Sequence, residues 1–312
     1  MIKGLLNWFK QKTSFIFSPK IEKNAAATPA ANKNNNKTYL IDANFPSMVL
    51  DNPIPLKTLL PMRATGEAGG GYALGTLQQQ AMGLKQMVND ALVFMNSKSP
   101  KKLTKWAATS NLSLQARAGV DLNAYYDRSA LKFFYFGDKV RSKNIFAADS
   151  RTVVTHEFGH ALLDMLRPDL WSVMSDEVWA YHESFGDMTA ILNNLQYPTL
   201  IDAALTENNN DLNKSNKISR LAVDMGIGLY DLTGGTNGEL STCLRDASIR
   251  FNYVPPSSLP KDGRDDQLIN EPHSFSRVFT SMFYNLLIQM ANVYLRSEEH
   301  TSELQSRLHL VC

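Results

Sequence analysis

Two histidines four residues apart, His156 and His160, enclose the run His-Glu-Phe-Gly-His. On an α-helix this spacing places both imidazoles on one face, a turn apart, where they can bind the same zinc ion. Glu157 lies between them and can act as a general base on the water that such an ion activates. Because zinc in a hydrolytic site takes three protein ligands, the run predicts a metal site that needs one more.

Two carboxylates four residues apart, Glu183 and Asp187, are the candidates to complete this site. The apolar residues at 177–192 have helical spacing, so both carboxylates lie on one face of a second helix. One can bind zinc while the other accepts a hydrogen bond from a ligand histidine. A third histidine of the metzincin kind is excluded, because Leu163 and Leu166 stand where that class has glycine and histidine.

The pairing of His-Glu-Phe-Gly-His with a later Glu-Ser-Phe-Gly-Asp resembles the zinc segments of the thermolysin-like and fungalysin-like gluzincin endopeptidases. This resemblance implies that His156, His160 and Glu183 bind one zinc ion. It also implies that Glu157 is the catalytic base and that Asp187 orients His156 through a hydrogen bond.

The resemblance extends loosely over about residues 80–290 and implies a place for the substrate. Asn123 and Ala124 come before two tyrosines, as in the edge strand on which the family holds a peptide as an added strand. Val153 and Leu244 match positions that line the pocket for the residue after the scissile bond. The implied substrate is therefore a peptide or protein, with large apolar residues preferred after the cut.

Two later residues resemble the transition-state donors of this family. Arg245 corresponds to the arginine that hydrogen-bonds the substrate carbonyl, and His273 to the histidine that stabilises the oxyanion. The aspartate that usually orients this histidine has no clear counterpart, although Asp265 and Asp266 lie somewhat farther upstream. A second donor, commonly a tyrosine, is also missing, because Trp171 stands at about that position.

Two other functions remain open. A gluzincin aminopeptidase would share the zinc segments, but the chain has no Gly-x-Met-Glu-Asn motif with which to bind a free amine. A non-catalytic peptide-binding protein would keep the same scaffold, and the missing tyrosine favours it. Calcium is not predicted, because Thr152 and Asn194 stand where two calcium-binding acids of thermolysin would be.

The predicted elements favour an α+β fold, in which sheets precede a mainly helical part. The histidine pair falls in a helix predicted from Arg151 to about Leu166, which Ser150 can cap and Pro168 follows. One more helix and three strand-like segments precede it, at 77–95 and at 39–50, 112–122 and 131–136.

Together with the resemblance, these elements imply a two-lobed, thermolysin-like zincin with its cleft between the lobes. The sheet-bearing N-terminal lobe, at 39–167, includes the central zinc helix, and the mainly helical C-terminal lobe occupies 168–295. Residues 1–38 are a basic segment and a low-complexity linker that cannot pack a core. Residues 296–312 resemble a translated sequencing adapter, so we expect the native reading frame to end near Leu295.

Composition narrows the range of partners. The 32 Lys and Arg residues nearly balance 30 Asp and Glu, and a net charge of +2 argues against nucleic acid as the main partner. Residues 1–20 mix lysines with aromatic residues, which is compatible with weak contact to a membrane surface.

Neither a signal peptide nor an apolar run long enough to span a bilayer is recognisable, so localisation stays open. Without the 296–312 tail, Cys243 is the only cysteine, and no intrachain disulfide is expected.

Overall fold

The computed structural model of the chain describes residues 48–51, 76–99, 103, 105–109, 111–138, 140 and 143–309. Within these ranges the fold is mixed α+β, with small sheets followed by a mainly helical C-terminal part. The α+β prediction is confirmed at this level. The basic segment, the linker and most of the first predicted strand lie outside the described residues.

A four-stranded sheet precedes the histidine helix. Its strands are β1 (Met48–Asp51), β2 (Asn111–Gln115), β3 (Ala124–Tyr126) and β4 (Ala130–Phe133). The order is β1-β2-β4-β3, where β2 and β4 are parallel and the other neighbours antiparallel. β3, which contains the Ala-Tyr-Tyr part of the Asn-Ala-Tyr-Tyr run, therefore lies at an edge of the sheet that the described strands form, as the resemblance implied.

Two antiparallel pairs of short strands follow: β5 (Tyr135–Asp138) with β6 (Lys143–Phe146), and β7 (Arg220–Leu221) with β8 (Arg245–Asp246). The segment predicted as one strand at 131–136 is thus divided between β4 and β5. The division falls at Phe134, whose N–H donates to the carbonyl of Asn123 while its own carbonyl accepts from the N–H of Ala147. The chain leaves the larger sheet at this residue.

The helices of the described residues are α1 (Leu77–Lys98), α2 (Arg151–Leu166), α3 (Asp176–Asn194), α4 (Pro198–Glu207), α5 (Val223–Thr233) and α6 (Pro272–His309). The histidine helix, α2, begins and ends where the sequence predicted. Ser150 occupies its N-cap position, but its hydroxyl lies 3.3 Å from Thr152 Oγ1 and does not cap a helix N–H. α6 continues beyond Leu295, because residues 296–309 contain neither proline nor glycine. None of the described helices is long and apolar enough to cross a membrane.

The main hydrophobic core lies where α1 and the larger sheet pack on α2, around Leu84, Phe133 and Phe158. α2 also packs along α3, and α3 packs along α6. Every residue of α2 from Val153 to Asp164 is buried as a result. The histidine pair therefore lies inside the protein rather than on a solvated helix face.

Candidate metal centre

Two glycines allow α2 and α3 to approach each other closely. A Cβ atom at Gly159 would lie 2.7 Å from Gly186 Cα, and one at Gly186 would lie 2.7 Å from His156 Nδ1. A larger residue at either position would push the helices apart. Each sequence motif contains one of these glycines, so the signal for close packing was present although its meaning was not predicted.

This close approach brings Glu183 of α3 to both histidines of α2. Glu183 Oε2 lies 3.3 Å from His156 Nε2, and Glu183 Oε1 lies 3.6 Å from His160 Nε2. Ligands about 2.1 Å from a tetrahedral ion are separated from one another by roughly 3.4 Å. The three residues are buried, and their ligand atoms all lie within 4.8 Å of one another. The donor set fits a metal ion, and this triad could hold one.

Asp187 supports the triad from the side opposite Glu183. Its Oδ1 lies 2.9 Å from His156 Nδ1, which orients the other ring nitrogen toward Glu183. Arg245 donates from Nε and Nη2 to the two carboxylate oxygens at 3.0 and 2.7 Å, and Thr280 Oγ1 donates at 3.2 Å. Burial opposes ionisation of Asp187, but Arg245 and His156 outweigh it and lower the pKa to about 2. The carboxylate is therefore ionised and fully hydrogen-bonded.

The pairing of Arg245 with Asp187 was not predicted, because the resemblance assigned Arg245 to the substrate carbonyl. β8 supplies the arginine, and its pairing with β7 fixes the backbone there. Nε and Nη2 are engaged by Asp187, which leaves Nη1 as the nitrogen without a partner among the described residues. One guanidinium can thus support the carboxylate and still offer one donor to a ligand.

His273, at the start of α6, reaches the same centre. Its Nε2 lies 3.3 Å from Glu183 Oε2, and its Nδ1 lies 2.6 Å from Glu271 Oε1. Burial opposes protonation of His273, but the charges of Glu183 and Glu271 outweigh it and raise the pKa to about 9. Glu271 also accepts from the N–H of Ser274 at 2.8 Å, so it caps the first turn of α6.

Glu271, rather than either upstream aspartate, therefore orients His273. Asp266 instead forms a surface pair with Arg264, and Asp265 accepts from the side chain of Asn237. A sequence signal was available, because an acid followed by proline is a common start of a helix. It was missed because Glu271 is too close along the chain to match the spacing of the family.

The pKa values of the two α2 histidines are shifted in opposite directions. Burial would lower the pKa of His156, but its contacts with Asp187 and Glu183 raise it to about 10. Burial lowers the pKa of His160 to about 3, so this imidazole is neutral. The rings of His160 and His182 are stacked with their centroids 6.1 Å apart. Trp171 packs edge-on against His182, with a centroid distance of 6.0 Å.

A cavity of about 330 Å³ opens beside the triad. Glu157 lies in its wall, and burial raises the pKa of this carboxyl to about 7. Trp171 is not among the lining residues. The lining includes every predicted substrate-binding residue and both predicted donors, namely Asn123, Ala124, Val153, Leu244, Arg245 and His273. Its apolar part is extended by Met225, Leu229, Leu232 and Leu240.

Ala124 of β3 and the preceding Asn123 line this cavity. The N–H of Phe134 donates to Asn123 O at 3.1 Å, and the N–H of Asp127 donates to Ala130 O at 3.2 Å. Main-chain groups of successive residues point to opposite sides of a strand. Since residues 123, 125 and 127 face β4, the carbonyl of Ala124 and both main-chain groups of Tyr126 face the other side of β3. No described strand pairs with that side, which is the open edge of the sheet among the described residues.

Comparison with known proteins does not place the chain in a family. No protein-family model, no curated protein and no solved structure matches it. The likeness to gluzincin endopeptidases therefore stays a prediction, since it depends on short motifs. Function has to be inferred from the residues of the site and from their geometry.

Proposed function

We propose that this chain is a zinc-dependent endopeptidase of the two-lobed, thermolysin-like architecture, which cuts peptide bonds before large apolar residues. The observation that supports this most directly is the buried triad of His156, His160 and Glu183, with Glu157 beside it in the wall of a cavity. Three buried ligands close enough to bind one ion, a carboxylate beside them and a strand edge at the cavity are the parts that metal-assisted peptide hydrolysis needs.

A bound zinc ion would polarise the substrate carbonyl and make water more acidic. Glu157 takes a proton from the attacking water and delivers it to the leaving amine, so that one carboxylate serves as base and then as acid. Asp187 keeps the imidazole of His156 in the tautomer that presents Nε2 to the centre. Arg245 and Thr280 keep Asp187 ionised and in place.

The developing oxyanion needs preorganised donors. His273 offers Nε2, because Glu271 holds the opposite ring nitrogen, and Arg245 offers Nη1. Removing a single donor of this kind commonly lowers the rate by about 10²–10³. Both groups are fixed before substrate arrives, as such stabilisation requires.

The peptide main chain pairs with the β3 edge, through the carbonyl of Ala124 and the main chain of Tyr126. The side chain after the scissile bond enters the apolar part of the cavity, beside Val153 and Leu244. This part of the cavity favours large apolar side chains. Main-chain pairing provides affinity, and the cavity provides selectivity.

A non-catalytic peptide-binding protein is the second candidate. It is favoured by the position of Trp171, which contacts Tyr126, Arg128 and His182 and does not line the cavity. A second transition-state donor from this segment would be absent. The same cavity and strand edge would then bind peptides without cutting them.

Zinc content and casein cleavage, measured together, test the proposal. Wild type and Glu157→Gln should each bind about one zinc ion, and Glu157→Gln should lose roughly 10²–10⁴-fold in rate. Exposed Glu177, in the first turn of α3, provides the control, and Glu177→Gln should keep full activity. Zinc without cleavage by wild type would favour the binding protein, and absence of zinc would overturn the endopeptidase. Cleavage of peptides with blocked amino termini excludes an aminopeptidase.

A further inference from the structure

Another buried carboxylate, that of Asp164, lies one helical turn after His160 on α2, and its side chain is 0% exposed. The hydroxyl of Tyr126 donates to Asp164 Oδ2 at 3.0 Å. Arg128 donates from Nε to Oδ2 at 2.9 Å and from Nη2 to Oδ1 at 3.0 Å. The edge strand and the turn after it are thus tied to the helix that carries the histidines.

The turn at Arg128 is held in an unfavourable conformation. Arg128 has φ 70°, the left-handed region, which costs a residue with a Cβ about 1–2 kcal/mol. Asp127 Oδ1 accepts from the N–H groups of Ser129 and Ala130 at 3.0 and 2.8 Å, and the Arg128 guanidinium lies over the Trp171 ring at 5.2 Å. Such strain persists only when the surroundings determine the conformation. Here the main contact that holds the turn is between the Arg128 guanidinium and the buried carboxylate of Asp164.

Tyr126 connects this network to the place where a peptide would bind. Its side chain reaches Asp164, while its main-chain N–H and carbonyl face the open edge of β3. A displacement of the Tyr126 side chain would therefore move the main-chain groups that meet substrate. Asp164 and Glu157 lie on the same helix, so the contact with Asp164 links these main-chain groups to the helix that carries Glu157.

We infer that Asp164 is a positioning residue, which fixes the β3 edge against α2 and so determines which bond of a bound peptide lies at Glu157. The inference rests on the proposed endopeptidase function. Misplacing a substrate by about 1 Å can cost on the order of 10²-fold in rate. The loss should fall on long peptides that pair with β3, and a dipeptide that reaches only the catalytic groups should be spared.

Two blocked substrates separate positioning from general damage: an alanine-rich octapeptide with one central Phe-Leu bond, and a Phe-Leu dipeptide. We expect Asp164→Asn to keep one zinc ion and to lose about tenfold or more in kcat/KM on the octapeptide, but less than about threefold on the dipeptide. Tyr126→Phe, which keeps the Asp164 pair with Arg128, should show the same difference at smaller size. If Asp164→Asn does not fold, the result for Tyr126→Phe decides between positioning and general damage.

The matched control is Asp169→Asn, because Asp169 is held by Arg167 in the same two-pronged way but on the surface. It should behave as wild type on both substrates. Equal losses on the octapeptide and the dipeptide in Asp164→Asn and Tyr126→Phe would overturn the inference, since a smaller active fraction lowers both.

If wild type cleaves neither substrate, the proposed function fails, and binding of the fluorescently labelled octapeptide decides the inference alone. Weaker binding to Asp164→Asn, with unchanged binding to Asp169→Asn, would still support control of the β3 edge. Unchanged binding to both variants would overturn it.

Discussion

Two buried aspartates, Asp164 on α2 and Asp187 on α3, have the same kind of partners in different places. Asp187 accepts two hydrogen bonds from Arg245 and one from the hydroxyl of Thr280. Asp164 accepts two from Arg128 and one from the hydroxyl of Tyr126. Of the two side chains, only that of Asp187 also forms a hydrogen bond with a candidate metal ligand, His156.

The same polar arrangement can orient two different parts of the protein. Beside His156 it fixes an imidazole, and at the end of α2 it fixes a strand edge. Replacing a buried ion pair by apolar residues is often neutral or stabilising, so stability alone is a weak reason to keep either arrangement. Orientation is the property that both have in common, and variants that affect the two arrangements differently can test this.

The largest expected difference is in zinc binding itself. Glu183→Gln removes a charged ligand from the triad and should reduce bound zinc from one ion per chain to less than about a tenth, because an amide is a poor zinc ligand. Asp164→Asn should keep its zinc. Metal analysis after dialysis against a weak chelator measures both. Stoichiometric zinc in Glu183→Gln would show that the triad does not bind the ion.

A smaller difference is expected between the aspartates. Asp187→Asn should weaken zinc affinity by about 10–100-fold, the usual effect of losing a carboxylate that orients a ligand histidine. Asp164→Asn should match wild type, because the side-chain hydrogen bonds of Asp164 go to Tyr126 and Arg128 and not to a metal ligand. Competition with a chromophoric chelator measures the affinity. Equal losses in both variants would mean that the arrangements are not distinct in function.

Local pattern was sufficient to predict which residues form the triad that could hold a metal ion. His156, His160 and Glu157 have a spacing that has meaning on any helix, and the bounds of α2 follow from Pro168 and from apolar spacing. Glu183 and Asp187 needed only one more assumption, that their own segment is helical. The resemblance added the remaining cavity residues, and the structure brings these into one lining.

The supporting contacts could not be predicted, because they depend on how distant segments pack. Arg245 and Asp187 are 58 residues apart, and Asp164 lies 38 residues from Tyr126. No spacing rule relates such pairs. The sequence does not distinguish Thr280 from other helix threonines, because only the packing of α6 on α3 brings it to Asp187. Glu271 can be recognised as the partner of His273 only in the folded structure.

A third test concerns the close contact between α2 and α3 at Gly186, the residue before Asp187. Gly186→Ala places a methyl group against the ring of His156 and should lower the free energy of unfolding by about 1–3 kcal/mol. Gly83→Ala is the control, because a Cβ there meets nothing within 4 Å and helix propensity favours alanine. Denaturant unfolding of the apoprotein compares them. A neutral Gly186→Ala would mean that the helices are not closely packed.

The smallest expected effects come from the two hydroxyls. Thr280→Val and Tyr126→Phe each remove one hydrogen bond to a buried aspartate and should each lower the free energy of unfolding by about 1 kcal/mol. Only Thr280→Val should also weaken zinc affinity, by a few-fold, since it acts on the carboxylate that holds His156. Unfolding and chelator competition on the same samples separate the two quantities. If Tyr126→Phe weakened zinc binding as much as Thr280→Val, orientation of the strand edge and of the metal ligand would have to be treated as one coupled network.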